Sequence, residues 1–330
     1  MIRIAVLGAG RIGKIHARNV AQNPRCRLIA VSDSVAEAAR ALADSLGCEA
    51  STDPEATVAR GDVDAIVIGT PTDTHVDFML DAARRGKAVL CEKPVDLDIS
   101  KVDAAAAEVD KRGARVMVAF NRRFDPSAAA LKQAIQAGEV GEVRQVIITS
   151  RDPAPPPLAY IATSGGIFRD MMIHDFDMAR WLLGEEPTEV TAIASCLVDP
   201  GIGSAGDYDT LMVNMKTASG RQCHINNCRQ SVYGYDQRLE VFGSRGMVLN
   251  DNLRPTTLRR YNESETEARE PLLNFFLERY ADAYRIELDS FVDAAEAGGP
   301  MPVTIRDGRQ ALRLADAALE SAGSGRTVRV

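Results

Sequence analysis

The chain has 330 residues, more than one compact domain usually holds, so two domains are expected. A composition 45% hydrophobic and 26% charged excludes a disordered or fibrous protein. The formal net charge of −7 argues against nucleic acid or an anionic membrane as partner, and the pairs Arg84-Arg85, Arg122-Arg123 and Arg259-Arg260 are too short to reverse it.

No apolar run is long enough for a transmembrane helix, and the apolar start breaks into glycines without the long core of a signal peptide. A cytoplasmic location is expected. The six cysteines (Cys26, Cys48, Cys91, Cys196, Cys223 and Cys228) form no CxxC pair and read as reduced thiols. Cys223-His224 with Cys228 lacks a second ligand pair for zinc, so no metal is expected.

Strand and helix signals alternate through the first 120 residues. Strands are expected at 3–7, 28–31, 65–69, 88–91 and 115–120, and helices at 12–22, 35–46, 76–85 and 99–112. Glycines at 47, 86, 113 and 138 stand just past helix ends, where a left-handed residue is easiest for glycine. Continuous apolar strands between amphipathic helices predict an α/β domain, a Rossmann-type doubly wound parallel sheet over 1–122. Beyond it the pattern changes. Strands are expected at 143–150, 190–197, 211–216, 222–228 and 238–241, with a hairpin turn at 217–220 and a Pro-rich connector at 153–157. One helix interrupts at 173–183, and long helices at 275–297 and 307–321 close the chain. Residues 123–330 therefore read as an α+β domain with a large open, mostly antiparallel sheet, for substrate and oligomerisation; the C-terminal helix has the option of packing back on the first domain.

Gly8-Ala9-Gly10-Arg11-Ile12-Gly13 follows the first strand and opens the first helix, the context that makes a GxGxxG match a dinucleotide site. Its glycines permit the tight turn and close backbone approach, and the helix N-terminus offers free N–H groups to a pyrophosphate. Asp33 lies 20 positions after Gly13, where an acidic residue takes the ribose hydroxyls. Ser34 and Glu37 form a Ser-x-x-Glu capping box that leaves Asp33 free of capping. NAD is thus favoured over NADP, whose 2′-phosphate Asp33 would repel. Further strand ends carry Thr70-Pro71-Thr72, Glu92-Lys93-Pro94 and Asn121-Arg122, with His75 packed at a helix start near the cofactor.

Hydride removal from an alcohol carbon needs a base for the hydroxyl proton and benefits from a cation near the developing alkoxide. Lys93, at a strand end beside Glu92, is the first candidate. Asp170 and His174 are the second: four apart, they share one face of a helix starting here, and a carboxylate beside His fixes its tautomer. Asp175 and Asp177 flank them. A divalent cation on this cluster needs a further ligand that the sequence does not place.

These residues carry a resemblance spanning nearly the whole chain. Gly8–Gly13 and Glu92-Lys93-Pro94 resemble the glucose-fructose oxidoreductase/inositol dehydrogenase (Gfo/Idh/MocA) family. Ser150-Arg151-Asp152-Pro153 with Gly165-Gly166-Ile167-Phe168-Arg169-Asp170 and His174-Asp175-Phe176-Asp177 points to its inositol branch. The resemblance implies oxidation of myo-inositol to 2-keto-myo-inositol (scyllo-inosose) with NAD. It sets Lys93 beside the reacting hydroxyl, and Asp170 with His174 as the carboxylate–histidine pair, His174 taking the proton. Asn121, Arg122 and Asp152 would lie near cofactor or polyol, and Tyr233 or Tyr235, with Tyr235 the choice, would help hold substrate. Gly8, Gly10, Arg11, Ile12, Gly13, Asp33, Ser34, Thr70, Pro71, Thr72, His75, Glu92, Lys93, Asn121 and Arg122 form the expected cofactor set. The family pairs into tetramers or dimers through the open sheet, so a homo-oligomer is implied. Alternatives are another inositol isomer such as scyllo-inositol, an aldose, NADP in place of NAD, or a nucleotide-sensing regulator, which would need neither Lys93 nor the Asp170–His174 pair.

Overall fold

The structure, a computed structural model, describes residues 1–330. The first six strands, β1 (Ile2–Leu7), β2 (Cys26–Ser32), β3 (Glu49–Ser51), β4 (Ala65–Ile68), β5 (Ala88–Cys91) and β6 (Val116–Val118), form one sheet in the order β3-β2-β1-β4-β5-β6. Every pairing in it is parallel. The helices between them are α1 (Arg11–Gln22), α2 (Ala36–Leu46), α3 (Pro54–Ala59), α4 (His75–Arg84) and α5 (Ile99–Arg112). β4, β5 and β6 are buried at every residue, as strands covered on both faces must be. β3 and α3 escape the sequence reading, β3 because it lacks an apolar run and α3 because six residues are too few to show a helical period. Asp53 caps α3 by accepting the Ala56 N–H at 2.8 Å.

The next elements are α6 (Pro126–Gln136), β7 (Val143–Arg151), α7 (Leu158–Ser164), α8 (Gly166–Asp170), α9 (Ile173–Leu183) and β8 (Pro187–Ser195). They are followed by α10 (Pro200–Ser204), β9 (Thr210–Thr217), β10 (Gln222–Cys228), β11 (Asp236–Gly243), β12 (Met247–Asn250), the short hairpin β13 (Arg259–Arg260) and β14 (Ala268–Arg269), and α11 (Phe276–Arg279). The chain ends with α12 (Ala281–Ala297), α13 (Ile305–Ser324) and β15 (Val328–Arg329). The second sheet runs β12-β11-β7-β10-β9-β8-β15. Its one parallel pair is β7 with β10; the rest are antiparallel. Burial alternates along β9, the mark of a sheet with one covered and one open face. The open face shows Ile193, Met212 and Leu249. The turn at 217–220 closes with Gly220 N–H on the Thr217 carbonyl. No helix is long and apolar enough to cross a membrane.

Two compact units emerge: Met1–Phe124 with Ala283–Leu312, and Asp125–Asp282 with Arg313–Val330. The sequence reading gave all of 123–330 to the second domain, with at most a C-terminal helix returning. The structure corrects this: nearly all of α12 and the first part of α13 belong to the first unit. The expected helix 275–297 is also two helices, α11 and α12, parted at Tyr280.

Candidate active site

The glycine loop leaves β1 at Gly8, whose φ of +97° suits glycine. A Cβ on Gly8 would collide with the Gly69 carbonyl, and one on Gly13 with the Gly8 carbonyl, so these positions let strand and helix close up. A Cβ on Gly10 would meet nothing within 4 Å. Gly10 also begins α1 without a side-chain cap. The first-turn N–H groups thus have open space before them, which fits a dinucleotide pyrophosphate. Arg11 is exposed and Ile12 half-buried at the same helix start.

Asp33 departs from expectation. Its Oδ2 accepts the Ala9 N–H at 2.7 Å and its Oδ1 the Val35 N–H at 2.8 Å. Val35 is the N-cap of α2, without a side-chain cap bond, so the Ser34–Glu37 capping box does not form. Asp33 is instead engaged ahead of the helix, its carboxylate accepting the N–H of Val35 two residues on as an Asx turn. Each oxygen keeps a second accepting lone pair for a ribose hydroxyl.

The expected contacts at later strand ends are tied to one another. His75 opens α4 and is buried, its Nδ1 2.8 Å from the Pro94 carbonyl and its Nε2 2.9 Å from the Thr70 carbonyl. The Thr70 and Thr74 hydroxyls meet at 2.7 Å, and Thr74 donates to the Pro71 carbonyl, shaping the turn that holds Thr72. Glu92, expected to touch cofactor, instead turns inward: it is 7% exposed and its Oε1 lies 2.8 Å from His16 Nε2. Its Oε2 accepts the Lys93 N–H at 3.3 Å, fixing the turn where a cis peptide joins Lys93 to Pro94. Lys93 is half-buried. His16 was missed, although its place on the buried side of α1, three residues past Gly13, was a usable signal. Asn121 and Arg122 are buried in the 3₁₀ turn Asn121–Phe124, and Asn121 Nδ2 has no hydrogen-bond acceptor.

In the second unit Asp170 ends α8 and His174 is the second residue of α9. They are not on one helix, as the four-residue spacing suggested; the break falls at Met171-Met172, though both residues stay right-handed helical. Tyr160 donates to Asp170 Oδ1 at 2.9 Å, and Arg229 Nη1 stands 3.8 Å from Asp170 Oδ2. Arg229 is 1% exposed and pairs through Nη2 with Asp207 Oδ2 at 3.1 Å. Asp207 in turn accepts the Ile167 N–H at the start of α8 and fills the space beside Gly166. Tyr160, Asp207 and Arg229 were missed, because only the fold brings 160, 207 and 229 to residue 170. Asp175 and Asp177 are buried and engaged elsewhere, Asp175 with Asn227 Nδ2 at 2.8 Å and Asp177 with Arg180 at 3.7 Å. Asp152 sits at the end of β7, half-buried, its N–H on the Cys228 carbonyl.

Tyr235 is 5% exposed, its ring packed edge-on against Phe275 and Tyr280. Tyr233 is exposed, donating to Asp236 Oδ2 at 2.6 Å and accepting from Arg151 at 2.7 Å. Burial pushes the Asp236 carboxyl up, but bonds from Arg238, Tyr233 and Asn252 together hold it below the usual range. No group of His, Cys, Asp and Glu side chains is arranged to hold a metal ion.

Two family models match the chain: an oxidoreductase family with an NAD-binding Rossmann fold over residues 2–120, and a GFO/IDH/MocA C-terminal domain over residues 128–249. The chain belongs to the GFO/IDH/MocA oxidoreductase family. It is an oxidoreductase, and NAD is the cofactor of its first domain. Within the family it is similar to an inositol 2-dehydrogenase of Rhizobium meliloti strain 1021, 51% identical across 100% of this chain and 99% of that protein. A myo-inositol 2-dehydrogenase of Thermotoga maritima is 44% identical across 100% and 98%. Among solved structures, the scyllo-inositol dehydrogenase of Lactobacillus casei with bound NAD(H) and scyllo-inositol is 29% identical at a TM-score of 0.92, covering 100% of this chain and 99% of that one.

Proposed function

We propose that this oxidoreductase oxidises myo-inositol at one ring hydroxyl to 2-keto-myo-inositol, with NAD as acceptor. The observation that carries the reading is full-length likeness to the Rhizobium meliloti inositol 2-dehydrogenase at 51% identity. When bound, NAD supplies the hydride acceptor.

The chain's own residues supply the rest. Gly8, Gly10 and Gly13 with the first turn of α1 bind the pyrophosphate, and Asp33 takes the ribose hydroxyls. The Lys93 ammonium steadies the hydroxyl oxygen as negative charge develops on it. His174 accepts the hydroxyl proton, and Asp170, held by Tyr160 and Arg229, fixes the charge beside it. Asn121, Arg122 and Asp152 orient cofactor or polyol. A ring of hydroxyls requires many donors and acceptors, which suits this set. The tyrosine role passes more readily to Tyr160, already on Asp170, than to the core residue Tyr235.

The open sheet face, with its exposed Ile193, Met212 and Leu249, supports a homo-oligomer, a tetramer or dimer, in a cytoplasmic enzyme. A second reading, scyllo-inositol as preferred substrate, is favoured by the Lactobacillus casei structure. NADH formation over a panel of inositol isomers and aldoses, with NAD and then NADP, tests both. Turnover of myo-inositol with NAD is expected; no turnover of any polyol refutes the reading.

A further inference from the structure

Asp170 and His174 stand on two helices, and the backbone ladder is reset between them. The Ile167 carbonyl takes the N–H groups of both Met171 and Met172, and the Met172 carbonyl those of Asp175 and Phe176. A continuous helix holds residues four apart on one face. A reset ladder does not, so the spacing of this pair needs a hold from outside α8 and α9.

The end of β10 supplies one. Asn227 Nδ2 donates to Asp175 Oδ2 at 2.8 Å, from strand to helix, with Asp175 0% and Asn227 1% exposed. Two residues on, the same side of the strand carries Arg229, whose guanidinium stands 3.8 Å from Asp170 Oδ2. The Arg229 N–H on the Asp209 carbonyl at 2.8 Å continues the pairing with β9 by one step, so Arg229 keeps a strand's spacing from Asn227. One strand end thus grips both helices: α8 through Asp170, and α9 through Asp175, the residue next to His174.

Packing alone does not account for Asn227. It follows Cys223 and Ile225 along the covered row of β10, where an apolar side chain would serve. Its Oδ1 has no hydrogen-bond partner, and a buried acceptor left unmet costs stability. What the amide adds is its one bond, to the first turn of α9, and that turn carries His174.

We propose that Asn227 is a positioning residue for His174: its bond to Asp175 locks the first turn of α9 onto the sheet, and with Arg229 on Asp170 it fixes how the pair stands. The inference rests on the reading of His174 as the proton acceptor.

The test exchanges donor and acceptor in the full-length enzyme. Asn227→Asp sets a second carboxyl against Asp175 and breaks the bond; adding Asp175→Asn rebuilds it in the opposite sense. In Asn227→Asp, kcat for myo-inositol per NAD-binding site is expected to fall about 10- to 100-fold, the scale of loss when a reacting group is misplaced by about 1 Å, with the KM for NAD unchanged. The exchange variant is expected to recover to within about threefold of wild type. A structural role alone would lower Tm and leave kcat per site where it was. An unaltered kcat in Asn227→Asp overturns the proposal, and so does an exchange variant no faster than the single one.

If Asn227→Asp does not fold, Asp175→Asn against Asp175→Ala decides. The amide at 175 still accepts from Asn227 and the methyl group does not, so kcat should be lower in the Ala variant by about tenfold or more. Equal kcat in the two overturns the proposal. In a His174→Ala background, Asn227→Asp is expected to add no further loss of kcat; a further loss of the same size overturns the proposal. Full turnover in His174→Ala itself refutes the reading of His174 as base, while recovery of Tm in the exchange variant still reports on the bond.

Discussion

The carboxylate of Asp33 accepts the backbone N–H of Ala9 at 2.7 Å, so the residue that ends the second strand also holds the glycine loop in place. Replacing Asp33 with Ala therefore does two things at once: it removes the acceptor for the ribose and loosens the phosphate loop. A charge-assisted bond of this kind is worth about 1.5–3 kcal/mol, so the KM for NAD is expected to rise about 10- to 100-fold. Preference for NAD over NADP should shrink as well. Steady-state kinetics with both cofactors measure this, and an unchanged KM for NAD would take Asp33 out of the cofactor site.

Lys93→Ala and His174→Ala are each expected to lower kcat by about 10²- to 10⁴-fold, the usual size of a lost proton-transfer or charge-stabilising group. NAD binding, followed by fluorescence titration, should persist in both. Loss of cofactor affinity in step with kcat would make either residue a structural support.

Tyr160→Phe deletes one hydroxyl from a half-exposed side chain and leaves the Asp170 carboxylate one donor short. A neutral hydrogen bond contributes about 0.5–1.5 kcal/mol, so kcat/KM for the polyol should fall by about 2- to 10-fold with Tm unchanged. Wild-type kinetics in this variant would show that Tyr160 is incidental to the site.

Arg229→Gln leaves Asp207 and Asp170 facing each other without the cation between them. Removing one partner of a buried ion pair costs about 3–5 kcal/mol, visible in urea unfolding. Adding Asp207→Asn should return part of that loss, because the uncompensated charge goes with it. Additive losses in the double variant would show that the two residues do not act as a pair.

Asp209 gives a prediction in pH. It is 0% exposed, and although burial opposes ionisation, the N–H groups of Leu197, Asp199 and Val198 together with the Thr210 hydroxyl bring its carboxyl from 3.8 down to about 2. A depressed folded-state value contributes stability that is complete above the unfolded value and lost as pH falls toward the folded one. The contribution is about 2 kcal/mol at neutral pH. Asp209→Asn should be less stable by about that amount at pH 7, with the gap to wild type closing as pH drops below about 4. Urea unfolding at a series of pH values checks it; a gap independent of pH would mean that the lost bonds, and not the charge, matter.

Local signals carried the first unit well. β5 and α5 there, and α9 in the second unit, have the bounds that periodicity and terminal glycines gave them, and the GxGxxG loop stands where a strand hands over to a helix. β3, Glu49-Ala50-Ser51, lacks the apolar run that marked the short buried strands, and α3 has only six residues, too few to express a helical period. The cap of α2 was misassigned for a different reason: Ser34 and Glu37 match a pattern, but the helix starts with Val35 as its N-cap and no side-chain cap, while Asp33 accepts the N–H of Val35 instead. At the substrate end, the sequence could offer Asp170 and His174 as neighbours in the chain. It could not show that Arg229, 59 positions on, would be buried against Asp170, since that pairing exists only once β10 has been laid beside β7.

The helix α13 belongs to both compact units, its first residues to one and the remainder to the other, and α12 before it completes the cofactor unit. The first unit is therefore discontinuous in sequence, although its nucleotide loop is the first thing made. During synthesis the early strands emerge with their last covering segment still nearly three hundred residues away in the message. Maturation of the nucleotide-binding half must wait for the end of translation, so a nonsense codon between residues 125 and 282, inside the second unit, would also strip the first unit of the segment that completes it.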